Sequence, residues 1–390
     1  MMHTQNISTP LATLIKAYIL DKGPIPFSEF MHLALYHPEL GYYCNSAINI
    51  GAQGDFSTAP HMSSLFSECI ARQIIEIQSQ LEKKPHYLLE LGAGRGKMAT
   101  DILSTLATHQ ALPEKYFILE ISPALITKQK EYLSRQIPDL AHHIEWVQQL
   151  SDLPKAFQGT IISNEFLDAL PIEIFQHSHN TQALQGFVDV KDRQQDGDFV
   201  LFFEKSTDPT FIHCVEREMS QLEEALPSNY ISEINTNIDT WISELSTVLE
   251  KGVMLFIDYG FDRHTFYHPD RSEGTLMCHY KHQTHANYFS QVGEQDITAH
   301  VNFSQLHNAA QALGLNTLGY TNQASFLLAL NILENISISQ DEKQRAVQSH
   351  ALQMLLQPHE MGELFKVIAL GKKFEGALQG FSIRDYQHRL

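Results

Sequence analysis

The feature that most constrains this chain is a short apolar stretch, residues 87–91, followed by a loop with glycine at every second position. The glycines are Gly92, Gly94 and Gly96, and an amphipathic segment, residues 98–106, follows them. This order predicts a buried parallel strand, a tight turn and the start of a helix. Because glycine has no Cβ, the backbone of such a turn can come close to a ligand.

Two nucleotide-binding patterns do not fit this loop. The dinucleotide motif Gly-x-Gly-x-x-Gly lacks its third glycine, because Lys97 stands three residues after Gly94. The phosphate-binding P-loop needs Ser or Thr after Gly96-Lys97, where Met98 stands. The remaining pattern, Glu-x-Gly-x-Gly-x-Gly after a strand, resembles the first motif of class I S-adenosyl-L-methionine (SAM) methyltransferases. SAM has no phosphate, so a loop without phosphate ligands suits it.

Strand and helix patterns alternate from residue 87 onward, which predicts an α/β fold with a parallel, doubly wound sheet. The strand candidates are residues 87–91, 116–121, 144–147, 160–164 and 253–258. Glycine at position 260 predicts a sharp turn after the fifth candidate.

Other segments extend this plan. Residues 1–84 predict a helical N-terminal extension with a cofactor-contacting loop, and residues 85–373 predict the main domain. Its insertion, at about 185–250, predicts a hairpin (187–190 with 199–204) followed mostly by helix. Residues 260–300 predict a long irregular loop, and residues 374–390 a C-terminal tail.

Ligands of open parallel sheets bind at the carboxyl ends of the strands, so the residues after each strand are the candidates for the site. Glu120 lies at the end of the second strand, and its carboxylate could accept hydrogen bonds from the vicinal hydroxyls of a ribose. The alternative is an ordinary exposed glutamate. Gln148 follows the third strand, where its amide could meet an adenine edge.

Three acids, Glu165, Asp168 and Glu173, follow the fourth strand among apolar residues. Burying carboxylates is costly unless a cation or hydrogen-bond donors pair with them. Glu165 and Glu173 could grip a guanidinium by forked hydrogen bonds, although Glu173 could instead begin a strand. Asp258 ends the fifth strand and either faces the substrate or holds a loop. These four acids are the predicted catalytic residues; methyl transfer is an in-line displacement in which positioning supplies most of the catalysis.

The charge composition of the chain restricts the classes of partner that it is expected to bind. The formal net charge of −18 opposes binding to nucleic acid, and an acidic cleft would attract a cationic side chain such as arginine. The alternative is that the charge serves solubility.

No apolar run is long enough to span a bilayer, no targeting segment is evident and four cysteines are scattered, so the sequence predicts a cytoplasmic protein. The histidine cluster at 278–285 lacks a zinc-ligand spacing, so no metal is predicted.

Several segments together resemble the MidA family of SAM-dependent methyltransferases, over about residues 12–372. The most specific are 164–171 and 296–301, beside 90–96 and 258–260. The resemblance implies a class I methyltransferase fold with an N-terminal extension and insertions, SAM as cofactor, and mitochondrial relatives that methylate arginine in a protein. The residues predicted to bind the cofactor are Asp55, Thr58, Glu90, Gly92, Gly94, Gly96, Glu120, Ile121, Gln148 and Asn164.

The first hypothesis is therefore a protein arginine methyltransferase with a protein substrate that carries the target arginine. Two alternatives stay open: a methyltransferase for a small molecule or another side chain, and a SAM-binding assembly factor that acts mainly by binding a partner. The sequence does not predict the oligomeric state.

Overall fold

The computed structural model describes residues 8–45, 58–82, 85–178, 183–194, 197–335 and 342–390. These residues form two compact units that interleave along the chain. The first unit contains the described residues of 1–56, 168–238 and 263–300, and the second unit those of 57–167, 239–262 and 301–390.

The helices are α1 Pro10–Lys22, α2 Phe27–Tyr36, α3 Ala59–Met62, α4 Ser64–Gln80, α5 Lys97–Thr108, α6 Pro123–Gln136, α7 Pro209–Met219, α8 Ile238–Val248, α9 Arg263–Phe266, α10 Phe303–Ala312, α11 Gln323–Ala329, α12 Glu342–Leu356 and α13 Met361–Leu364. The strands are β1 Ile25–Pro26, β2 Tyr87–Leu91, β3 Lys115–Leu119, β4 Ile144–Val147, β5 Phe157–Asn164, β6 Glu173–Gln176, β7 Leu184–Val190, β8 Phe199–Lys205, β9 Ile231–Ile234, β10 Leu249–Phe261, β11 Met277–Tyr280, β12 Gln283–His285, β13 Asp296–Thr298, β14 Val301–Asn302, β15 Asn316–Asn322 and β16 Phe365–Lys372.

The second unit is built on an 8-stranded sheet in the order β15-β16-β10-β5-β2-β3-β4, with β14 beside the end of β10. The strands from β10 to β4 pair in parallel, whereas β16 runs antiparallel to both of its neighbours. Every residue of the central strand β5 is buried, as a parallel strand covered on both faces requires. The predicted α/β fold with its largely parallel sheet is confirmed, and β2 and β4 have the predicted bounds.

The connection from β3 to α6 places the site residue Glu120 just after a strand. Helix α6 begins at Pro123, which suits the first helical position, and the Ser122 hydroxyl accepts a hydrogen bond from the Leu125 amide at 3.3 Å. These start signals leave three residues, Glu120 to Ser122, between the strand and the helix.

The first unit combines α1 and α2 with an antiparallel sheet of order β1-β7-β6-β9, in which β8 also pairs with β7. The predicted hairpin (β7 and β8) is confirmed. Aromatic side chains form much of its core: Phe27 and Phe30 of α2 make edge contacts with Tyr288 and Phe289. A second sheet, of order β12-β11-β13, completes the unit.

Three local predictions are wrong. The segment after the hairpin, predicted as mostly helix, contains β9 between α7 and α8, because residues 231–234 pair with β6. The segment 260–300 contains α9 and strands β11 to β13 instead of an irregular loop. Gly260 makes no sharp turn: β10 continues through Phe261, and Gly260 pairs with Val301. A Cβ on Gly260 would lie 2.1 Å from the Val301 carbonyl oxygen, so glycine there permits two strands to approach closely.

No helix in the described part of the chain is long and apolar enough to cross a membrane. The domain limits given from the sequence stay a prediction.

Candidate functional site

The glycine loop of the second unit has the backbone that its sequence predicts. Gly92, Gly94 and Gly96 have φ angles of 66°, 53° and 82°, in the left-handed region that favours glycine. A Cβ on Gly92 would lie 3.0 Å from the Phe166 ring, whereas a Cβ on Gly94 would meet open space. The loop therefore leaves room for a ligand beside Gly94. Lys97, the residue a phosphate site would use, pairs with Asp101 on its own helix.

Glu90 lies inside β2, one residue before its end, and is buried. The Tyr116 hydroxyl donates a hydrogen bond to its carboxylate at 2.8 Å. Burial raises the pKa of Glu90 to about 7, and the hydrogen bond from Tyr116 opposes that shift. This acid therefore ties two neighbouring strands together beneath the loop.

Glu120 presents a carboxylate that the protein only partly occupies. The Ser122 amide donates to one oxygen at 3.0 Å, and the Gln129 side chain donates to the other at 3.1 Å. Burial raises the pKa of Glu120, and these donors oppose the shift. A carboxylate has about four acceptor sites, so the Glu120 carboxylate keeps capacity for further donors. Ile121, the next residue, is 53% exposed and offers an apolar surface beside the acid.

The other predicted cofactor residues lie at or near the same edge of the sheet. Gln148 follows β4 directly and is exposed. Thr58 precedes α3, and its hydroxyl lies 2.8 Å from the His61 ring nitrogen. Burial lowers the pKa of His61 on α3, and the positive charges of Arg95 and Lys97 lower it further. Asp55 lies outside the described residues.

Glu165 follows β5 in a backbone conformation that is rare for its residue type. Its φ is 52°, its amide donates to the Ile257 carbonyl at 3.0 Å, and the Asn164 side-chain amide donates to its carboxylate at 2.9 Å. Strained backbone of this kind persists where the surroundings fix it, and it concentrates at functional sites. Asn164 itself ends β5 and is nearly buried.

Asp258 is fully buried inside β10 and holds the loop that carries Glu165. Its carboxylate accepts hydrogen bonds from the amides of Phe166 and Leu167 at 3.1 and 2.9 Å, and from its own neighbour Tyr259 at 2.9 Å. Of the two roles open for Asp258, this geometry favours the loop-holding one.

Asp168 and Glu173 belong to the first unit. Asp168 is nearly buried, and its carbonyl accepts a hydrogen bond from the Ala299 amide at 3.0 Å. Glu173 is the first residue of β6, and the Ser28 hydroxyl of α2 donates to its carboxylate. Burial raises the pKa of Glu173 to about 7, and the hydrogen bond from Ser28 opposes the shift. The structure thus brings Glu165 and Asp258 together in one unit and places Asp168 and Glu173 in the other.

Two residues of the second unit that contact the site, Gln129 and Trp146, were not predicted from the sequence. Gln129 is buried on α6 and contacts both the glycine loop and Glu120, and Trp146 of β4 donates to Gln129. The signal available was an amide within an apolar stripe of α6, which is typical of a satisfied buried polar group.

Among the residues that the structure describes, no three His, Cys, Asp or Glu side chains are grouped so that they could hold a metal ion.

Comparisons with known proteins show the family to which this chain is related. A family model described as "Putative S-adenosyl-L-methionine-dependent methyltransferase" matches residues 69–321. The mitochondrial protein arginine methyltransferase NDUFAF7 homolog of Drosophila melanogaster is 28% identical over 402 residues, which cover 94% of this chain and 85% of that protein. NDUFAF7 of Homo sapiens is also 28% identical, over 94% of this chain and 84% of its own length.

A solved structure is similar over nearly the whole chain. It is a "likely methyl transferase" from Burkholderia thailandensis bound to S-adenosyl-homocysteine, 35% identical, with a TM-score of 0.87; the match covers 97% of this chain and 96% of that one. The curated relatives are mitochondrial proteins by name, so the cytoplasmic location predicted from the sequence is contradicted.

Proposed function

The chain belongs to the family of SAM-dependent methyltransferases, and from this premise we propose that it methylates a guanidinium nitrogen of arginine in a protein substrate. The names of the curated relatives support the arginine part of the proposal, because they align with nearly the whole chain. The acidic composition supports a cationic target, since negative charge attracts one.

The residues of the second unit fit SAM. The left-handed glycines keep side chains away from the loop, and the loop lysine is engaged with Asp101, so nothing there demands a phosphate. We propose that the backbone of the loop at Gly92, Gly94 and Gly96 contacts the cofactor and that Glu120 binds its ribose. Ile121 and Gln148 are proposed to contact its adenine base. When bound, SAM supplies an electrophilic methyl group on a sulfonium.

The observation that carries the proposal is the conformation of Glu165. The left-handed backbone, the Asn164 amide and the loop held by Asp258 together fix where its carboxylate lies. A fixed carboxylate can accept forked hydrogen bonds from a guanidinium and orient its nitrogen. Positioning of this kind supplies most of the catalysis in a direct group transfer. Asp168 and Glu173 lie in the first unit, and the catalytic roles predicted for them from the sequence stay predictions.

The test uses SAM labelled in its methyl group and, as acceptor, total protein extracted from cells that lack this chain. The wild-type protein should place label on arginine side chains. Glu165→Gln should lower the labelling by about 100-fold, the scale expected when a reacting group is misplaced. It should still bind S-adenosylhomocysteine in calorimetry with an affinity close to that of the wild type.

The matched control is Glu114→Gln. Glu114 is exposed and directly precedes β3, at the opposite end of the strands from Glu165, so this variant should label arginine at the wild-type rate. Label on lysine or on small molecules instead of arginine would refute the arginine assignment. Unimpaired labelling by Glu165→Gln would refute the role of this carboxylate.

A further inference from the structure

Helix α6 carries a buried stripe that contains one polar residue. Its buried side chains are Leu125, Gln129 and Leu133, spaced four residues apart and therefore on one face of the helix. Gln129 is fully buried between the two leucines. An amide in an apolar stripe is unfavourable unless its polar atoms are hydrogen-bonded, so its partners show what the residue does.

The Gln129 amide has partners on both of its polar atoms. Its nitrogen donates to the Gly94 carbonyl at 2.9 Å and to the Glu120 carboxylate at 3.1 Å. Its oxygen accepts from the indole N–H of Trp146 at 2.8 Å. The indole can only donate, and the carbonyl and carboxylate can only accept, so these partners admit one orientation of the amide.

Neighbouring contacts hold this arrangement on both sides. The Lys130 ammonium lies 5.1 Å from the centre of the Trp146 ring, a cation–π distance that keeps the indole in place. One turn further along α6, a Cβ added to Gly96 would lie 3.1 Å from the Leu133 side chain. The same helix face therefore contacts the glycine loop at Gly94 and again at Gly96.

We propose that Gln129 is a positioning residue for cofactor binding. Its two donated hydrogen bonds fix the Gly94 carbonyl and the Glu120 carboxylate relative to each other. The hydrogen bond to Glu120 also occupies one acceptor site of its carboxylate, so that the remaining acceptor sites face the ribose hydroxyls. The inference rests on the proposed role of Glu120, and it adds a residue that contacts the cofactor-binding groups instead of the cofactor.

The test measures discrimination between S-adenosylhomocysteine and its 2′,3′-dideoxy analogue by calorimetry. In the wild-type protein the hydroxyls should raise the affinity by about 100-fold, because each hydrogen bond to a charged group contributes about 10-fold or more. Gln129→Met keeps the side-chain length but removes both donors. The ratio of the two dissociation constants should then fall by at least about 10-fold.

The matched control is Gln158→Met: Gln158 is a buried glutamine near the start of β5, at the opposite end of the strands from Glu120, and its side-chain amide donates to the Glu82 carbonyl at 3.2 Å. This variant should lower the melting temperature but keep the wild-type ratio. A merely structural role for Gln129 would raise both dissociation constants by the same factor in Gln129→Met and leave the ratio unchanged, and that result would overturn the proposal.

A second variant keeps the proposal testable if Gln129→Met does not fold. Gln129→Glu has nearly the same shape but places a second carboxyl beside Glu120, so its affinity for S-adenosylhomocysteine should weaken as the pH rises and the introduced group ionises. A pH-independent affinity would contradict the proposal. Wild-type protein that binds both compounds equally would refute the ribose role of Glu120 and this inference with it, whereas wild-type protein that binds neither would refute cofactor binding.

Discussion

Replacing Glu165 by glycine and by alanine should separate the stability of the loop from its activity. The backbone at this position has a φ of 52°, where a residue with a Cβ is strained by about 1–2 kcal/mol. Glycine relieves that strain but has a more flexible unfolded state, which costs about 0.5–1 kcal/mol. Both variants lose the hydrogen bond from Asn164, so this loss cancels when they are compared.

The expected result is that Glu165→Gly is more stable than Glu165→Ala by about 1 kcal/mol, the difference between the two contributions. This order is the reverse of that in ordinary helix or strand positions, where alanine is favoured. Both variants should lose methylation of arginine to the same extent, because both lack the carboxylate. Urea unfolding followed by circular dichroism gives the stability, and the labelled-SAM assay gives the activity.

The control position is Gln110, an exposed residue after α5 with a φ of 54°. Gln110→Gly should likewise be more stable than Gln110→Ala, while both keep full activity. Equal stability of the glycine and alanine variants at position 165 would refute the argument from backbone strain. Activity retained by Glu165→Gly would refute the argument from the carboxylate, whatever the stabilities show.

Two further predictions concern buried acids. Asp258→Asn should lower the free energy of unfolding by about 2–4 kcal/mol, because an amide cannot accept from the backbone N–H groups of Phe166, Leu167 and Tyr259 at once; a loss below about 1 kcal/mol in urea unfolding would contradict the loop-holding role. The pKa of Glu173, about 7 in the fold, lies above the ordinary value of 4.5, so the folded state retains a proton that the unfolded state releases. The stability that this group contributes is therefore lost as the pH rises from about 4.5 to 7. Glu173→Gln should reduce this pH-dependent loss in the free energy of unfolding by about 3 kcal/mol. An equal loss in the wild type and in the variant would refute the prediction.

Much of the second unit could be predicted from the sequence because its signals are local. The strand β2 and its loop are specified by an apolar run and by glycines whose φ angles are positive. The same holds for Glu120, whose position after a strand places it at the carboxyl edge of the sheet. The fold, the cofactor and the methyltransferase family predicted from these stretches are confirmed.

The missed features depend on residues that are far apart in the sequence. Strand β9 forms because it pairs with β6, and its four residues alone do not distinguish it from the helices around it. The partner of Glu173 is Ser28, 145 residues away. Gln129 contacts Gly94 across 35 residues, so its hydrogen-bond partners follow from the docking of α6 on the glycine loop.

The donors around each acid of the second unit indicate what that acid can do. Asp258 is held by three backbone amides, which are rigid donors, so its carboxylate stabilises the loop and is poorly placed to exchange partners with a substrate. Glu120 accepts from the Ser122 amide and from the Gln129 side chain, and a carboxylate with about four acceptor sites keeps capacity for a diol. Glu165 is oriented by the Asn164 side chain and by a strained backbone, and a side-chain donor can yield to a guanidinium more easily than a backbone amide can. We propose that the three acids form a series from scaffold to cofactor to substrate. Their expected effects on methyl transfer follow from that series: Asp258 should act through stability, Glu120 through cofactor affinity and Glu165 through turnover.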